Sequence, residues 1–219
     1  MNISTNRTTK NGLFVLATLV LAGSLAACGG ASQGGTPPAP VPKTETPQPA
    51  NKLPVQGQIS NFTLENTEKK PVSLDNDLKA KAKLVYFFYT NCHDVCPITT
   101  KRMETILGKL KQQVPNADIQ LISITVDPNR DTADVLKQYA KQFNADPNTW
   151  AFLRGTKEQT DAVMKQFHVS AEEMMNHDIM HSDRLFLLDE KNQWRNSYLM
   201  GTGVKDEEII ADIKTLLAE

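Results

Sequence analysis

From residue 59 onward the apolar positions switch repeatedly between an unbroken or alternating pattern and a helical one. Leu84-Val85-Tyr86-Phe87-Phe88-Tyr89 has no polar face, which predicts a strand buried on both sides of a parallel sheet. Ile119 to Val126 predicts a second such strand, ending at Asp127-Pro128. Between them, Ile98 to Val114 carries Met103, Ile106, Leu107 and Leu110 at helical spacing. Asp131 is placed to cap a helix running to about Phe143, with Val135, Leu136 and Tyr139 inward. Trp150 to Leu153 predicts a short strand, and Thr156 with Gln159 a capping box that opens a helix to about His168. Two hairpins flank these units. The first pairs Ile59–Leu64 with Lys70–Leu74, and the second pairs Leu185–Leu188 with Trp194–Met200 across Asp189–Gln193. An amphipathic helix over Asp206–Leu217 closes the chain. This order predicts an α/β fold with a mixed central sheet flanked by helices.

The first 56 residues break the pattern. Arg7 and Lys10, the apolar run Gly12–Leu21 and the small residues before Cys28 have the layout of an export signal over residues 1–27. The apolar run is shorter than the roughly 20 residues that span a bilayer. Leu25-Ala26-Ala27-Cys28 resembles the lipobox of bacterial lipoproteins, which implies that Cys28 is a lipid anchor; an ordinary secretory signal is the alternative. Residues 28–56 then form a Pro/Gly-rich linker, with Pro37, Pro38, Pro40, Pro42, Pro47 and Pro49 crowded together, too poor in apolar surface to fold. The expected domain is 57–219, exported and held on the extracytoplasmic side of a bacterial cell membrane. A formal net charge of −1 and the absence of a basic block argue against nucleic acid as a partner.

Of the three cysteines, only Cys92 and Cys96 remain for the domain. They fall in Tyr89-Thr90-Asn91-Cys92-His93-Asp94-Val95-Cys96-Pro97, beyond the carboxyl end of the first buried strand, where open α/β sheets place their sites. Pro97 fits the first turn of a helix and disfavours helical geometry at Cys96, so the pair is expected to straddle a helix N-terminus. Free amides and the helix dipole favour thiolate there. Three chemistries stay open: a disulfide that staples the turn, a redox pair, or part of a metal site. A metal needs a further ligand, and Asn176-His177-Asp178-Ile179-Met180-His181 lies close before the strand at Leu185. Two thiolates and an imidazole form a soft set suited to copper. Met174, Met175 and Met180 add thioethers nearby, which by themselves read as hydrophobic filler.

Three segments in order carry a resemblance: Phe88 to Pro97 with its two cysteines, Ser123-Ile124-Thr125-Val126-Asp127-Pro128 with Arg130-Asp131-Thr132, and His181 four residues before Leu185-Phe186-Leu187-Leu188-Asp189. Together they resemble the Sco/SenC family, from about Gly57 to the C-terminus. The resemblance implies a thioredoxin-like fold with an N-terminal β-hairpin and insertions. It also implies a role in assembling the dinuclear copper centre of cytochrome c oxidase subunit II, or of another exported copper protein. Carried over residue by residue, it implies that Cys92, Cys96 and His181 bind copper, and that Asp127 braces the site without ligating. His93 stands where the family often has proline, which leaves His93 and His177 as open extra contacts. A metallochaperone is therefore expected, and the alternative is a thiol-disulfide reductase in which Cys92 and Cys96 are the redox-active pair and keep the target's cysteines reduced.

Overall fold

A computed structural model describes residues 52–175 and 178–219. The export signal at 1–27, Cys28, the linker up to residue 51, and His177 lie outside the described residues. In chain order the elements are β1 (Gly57–Gln58), β2 (Thr63–Asn66), β3 (Pro71–Ser73), α1 (Leu74–Asp77), β4 (Ala82–Phe88), α2 (Val95–Gln113), β5 (Ile119–Thr125) and α3 (Ala133–Gln142). They continue as β6 (Trp150–Arg154), α4 (Lys157–Gln166), β7 (Ala171–Glu173), β8 (Ile179–His181), β9 (Arg184–Asp189), β10 (Gln193–Leu199) and α5 (Asp206–Ala218).

Eight strands form one mixed sheet in the order β1-β10-β9-β4-β5-β6-β2-β3. β4, β5 and β6 run parallel, with Leu84 opposite Leu121 and Ile122 opposite Ala151, while β9 lies antiparallel on the other side of β4. All seven residues of β4 are buried, as expected of a central strand covered on both faces. Each large apolar side chain so buried contributes about 1.5–3 kcal/mol relative to exposure. This is the thioredoxin-like α/β arrangement expected, including the opening hairpin, in which Leu64 faces Val72. Among the described residues no helix is long and apolar enough to cross a membrane.

Several local expectations change. Asp131 does not cap α3; Thr132 does, its hydroxyl accepting from the Val135 amide at 3.3 Å. Asp131 is instead fully buried and accepts from the Thr90 amide at 3.1 Å and from the hydroxyls of Thr90 and Thr125. Val135 points to solvent at the edge of the helix's apolar arc, whereas Leu136 and Tyr139 face inward. β4 begins two residues before Leu84, because Lys83 is buried with its ammonium donating to the Asp189 carbonyl at 2.9 Å and to Asn192 Oδ1 at 2.8 Å. Leu53 and Gln56, in the stretch read as linker, bond to β10: the Arg195 Nε donates to the Leu53 carbonyl at 3.1 Å and the Gln56 amide to the Trp194 carbonyl at 2.7 Å.

Candidate metal centre

The centre starts where β4 ends. The Val126 amide donates to the Phe88 carbonyl at 2.8 Å, so the pairing of β4 with β5 extends to the last residue of the strand. Asp131 then ties down Thr90, and the chain turns at Asn91 into the cysteine segment. α2 begins at Val95, two residues earlier than Pro97 alone suggests, which places Cys96 inside its first turn and Cys92 before it. Proline is tolerated at Pro97 because the first-turn amides have no intrahelical acceptor. The preceding Asp94 makes no side-chain cap. The sulfur of Cys92 takes that place, accepting from the Cys96 amide at 3.4 Å. The helix start and the thiol chemistry are thus one structure.

The two sulfurs are unbridged thiols and they are not equivalent. A hydrogen bond from the Cys96 thiol, helped by the backbone amides of Asp94 and Cys96 and the Tyr89 hydroxyl, outweighs burial and lowers Cys92 to about 5. Cys96, fully buried, is pushed well above the ordinary thiol range by that same hydrogen bond to Cys92 and by burial. At neutral pH the pair holds one thiolate, at the more accessible position.

His181 arrives from a small two-stranded ribbon, β7 with β8, in which Ala171 pairs with His181. The Ile179 amide donates to the Tyr89 hydroxyl at 3.3 Å, and the Tyr89 ring meets the His181 ring edge-on with centroids 6.0 Å apart. Tyr89 therefore fastens β8 to the end of β4. His181 Nδ1 lies 3.2 Å from the Ser182 carbonyl, an acceptor that fixes the proton on Nδ1 and leaves the lone pair of Nε2 free. Nε2 points at Cys96 Sγ from 3.7 Å. Burial lowers the affinity of this imidazole for a second proton. A cavity of about 400 Å³ opens beside the group, lined in part by Tyr89, Cys92, His93, Met174, Met180 and His181.

The SCO1/SenC family model matches residues 51–218. The chain belongs to the SCO1/SenC family. Among solved structures it is similar to a SCO1/SenC family lipoprotein from Bacillus anthracis, with a TM-score of 0.68 and 28% identity over 80% of this chain and 100% of that one. It is also similar to BsSco, described as a Sco-family cytochrome c oxidase assembly protein with a disulfide switch, with a TM-score of 0.67 and 28% identity over 76% of this chain and 97% of that one. A third is Bradyrhizobium japonicum ScoI, solved with copper bound, with a TM-score of 0.61 and 27% identity over 72% of this chain and 98% of that one.

Within this SCO1/SenC chain the donors fit a soft metal ion. Bonds of about 2.3 Å to sulfur and about 2.0 Å to nitrogen, as for a typical first-row ion, subtend roughly 120° across a 3.7 Å separation of Cys96 Sγ and His181 Nε2. Among the described residues no three His, Cys, Asp or Glu side chains already form a finished cage. Asp127 is buried and its carboxylate pairs with Arg130, while its amide donates to Thr125 Oγ1 at 2.9 Å. His93 is exposed on the cavity rim.

Three polar residues beneath Cys96 escaped the sequence reading. Tyr86 is fully buried on β4, and its hydroxyl lies near Cys96 and Asp183 without an aligned hydrogen bond to either. Asp183 accepts from Thr99 Oγ1 at 3.0 Å through one carboxylate oxygen, and the other oxygen is buried without a partner among the described residues. Burial raises Asp183 above the ordinary carboxylate range. Tyr86 reads in sequence as one more aromatic of a buried strand; only the fold shows its hydroxyl beside a sulfur.

Proposed function

We propose that this protein is a copper-binding chaperone that assists assembly of the dinuclear copper centre of cytochrome c oxidase subunit II, with Cys92, Cys96 and His181 as its copper ligands. The observation that carries the reading is the 3.7 Å approach of His181 Nε2 to Cys96 Sγ, with the Cys92 sulfur bonded into the same helix turn. Copper is the cargo, and thiolate and imidazole are the soft donors it favours. Family membership, the copper-bound Bradyrhizobium ScoI and the role named for BsSco support the assignment. Asp127, paired with Arg130, holds the turn after β5 and does not ligate.

The same reading places residues 1–27 as an export signal, Cys28 as the lipid anchor, the stretch up to about residue 56 as the tether and the domain on the extracytoplasmic face of the cell membrane. Likeness to a SCO1/SenC family lipoprotein supports the anchor. The test is anaerobic copper titration of the reduced chain carrying Cys28→Ser. One tightly held copper per chain is expected, with affinity falling in His181→Ala by at least the about 10- to 100-fold that loss of an outer partner of a ligand costs. Unchanged binding in that variant contradicts the ligand set.

A second activity is favoured by the inequality of the two sulfurs. Cys92, the low-pKa and less buried thiol, suits attack on a disulfide of the target; the bond from Cys92 to one target sulfur forms as the target disulfide breaks and its other sulfur leaves as thiolate. Cys96 then attacks Cys92 Sγ, closing the Cys92–Cys96 disulfide and releasing the target as a dithiol ready for copper. A redox titration tests this. An inert pair that does not exchange with a dithiol reductant removes the reductase role while leaving the copper role intact.

A further inference from the structure

The β7–β8 ribbon does more than present His181. Three of the methionines are core residues, with Met103, Met164 and Met200 no more than 6% exposed. Three others, Met174, Met175 and Met180, are 49%, 103% and 58% exposed, and all sit on or next to this ribbon. Packing does not explain them.

Their register is informative. Glu172 pairs with Met180, and the ladder continues where the Met174 amide donates to the Asp178 carbonyl at 2.8 Å. Met174 and Met180 are therefore diagonal neighbours on one face of the ribbon, at about 7–8 Å, a separation that two long side chains close easily. His181 lies on the other face, with Ile179. Both methionines nonetheless line the cavity that contains Cys92 and His181. Glu172, directly across from Met180, supplies negative charge beside them without competing as a soft donor.

We propose that Met174 and Met180 form a second, thioether site for a soft monovalent ion such as Cu(I), at the mouth of the cavity that leads to Cys92, Cys96 and His181. The inference rests on the copper reading above and adds an entry point to it. Thioethers bind Cu(I) without first losing a proton and hold it more weakly than thiolates, so an ion captured at Met174 and Met180 passes downhill to the sulfurs behind. No electron moves: one set of neutral donors is exchanged for another set that contains a thiolate.

The test removes the stronger donors. A full chain with Cys28→Ser, Cys92→Ser, Cys96→Ser and His181→Ala, carrying carbon-13 methionine methyls, is titrated with Ag(I) as the Cu(I) surrogate. The methyl signals of Met174 and Met180 are expected to shift together and saturate, while those of Met103, Met164 and Met200 stay fixed. Substituting Met174→Leu is expected to abolish the saturable shift at Met180. Unmoved signals at both, or a shift at one that ignores the other, overturns the site. Copper binding by the M174L/M180L chain with its thiols intact reports separately on Cys92, Cys96 and His181. Its loss contradicts the copper reading, whereas the methyl shifts decide the thioether site.

Discussion

Cys96→Ala in the copper-free, reduced chain separates the contributions that make Cys92 a thiolate. The hydrogen bond from the Cys96 thiol is the largest of these, ahead of the amides of Asp94 and Cys96 and the Tyr89 hydroxyl. With Cys92 at about 5, more than roughly 90% of it is ionised at pH 6, against well under 1% for an ordinary thiol near 8.5. The variant keeps the backbone amides, so the midpoint is expected to settle between these limits rather than return fully. Two assays read it: ultraviolet thiolate absorbance against pH, and the pH midpoint of alkylation at Cys92 located by mass spectrometry, in a Cys28→Ser background. The midpoint is used, and not the plateau rate, because a less basic thiolate is also intrinsically less nucleophilic. A wild-type midpoint in the ordinary thiol range, or one that Cys96→Ala leaves unmoved, refutes the coupling of the two sulfurs.

Other expected outcomes follow from single contacts. Asp131→Ala strips one buried and two partly buried donors of their acceptor, at about 1–3 kcal/mol each before relaxation, so denaturant unfolding should show a loss of about 3–5 kcal/mol; a loss below about 1 kcal/mol contradicts its anchoring of Thr90. Tyr89→Phe removes the acceptor of the Ile179 amide and the hydroxyl beside Cys92, and should weaken copper binding about tenfold while costing about 1 kcal/mol of stability. Equal copper affinity would show that β8 is held by other means. Lys83 is lowered by burial from 10.5 to about 8, so between those values the unfolded chain binds more protons and stability rises with pH. Thermal melts should show that rise in the native chain and its loss in Lys83→Met; a rise that persists in the variant assigns it to another group.

Much of this was legible in the sequence because its signals are local. The all-apolar run at Leu84, the helical spacing after Cys96 and the capping box at Thr156 each reflect a period or a short-range bond. The cysteine turn was legible for the same reason, since strand end, spacing and Pro97 lie within a few residues. What was missed depends on contacts between distant segments. The charged Lys83 breaks the apolar run that marks the strand, yet Asp189 and Asn192, more than a hundred residues away, satisfy it. Asp131 reads as a cap until Thr90 and Thr125 are seen to need its carboxylate. β7 and β8 have three residues each and no alternating pattern, so the ribbon that carries His181 had no sequence signal beyond the histidine itself. The approach of the buried Tyr86 hydroxyl to Cys96 and Asp183 is likewise a product of the fold.

The central claim is that Cys92, Cys96 and His181 hold one copper between them. X-ray absorption at the copper edge, on the Cys28→Ser chain loaded with one equivalent, tests it most directly. Sulfur scatterers from both cysteines and one imidazole are expected, with the imidazole signal lost in His181→Ala and sulfur reduced in Cys92→Ser or Cys96→Ser. A spectrum without sulfur, or one that His181→Ala leaves unchanged, would contradict it.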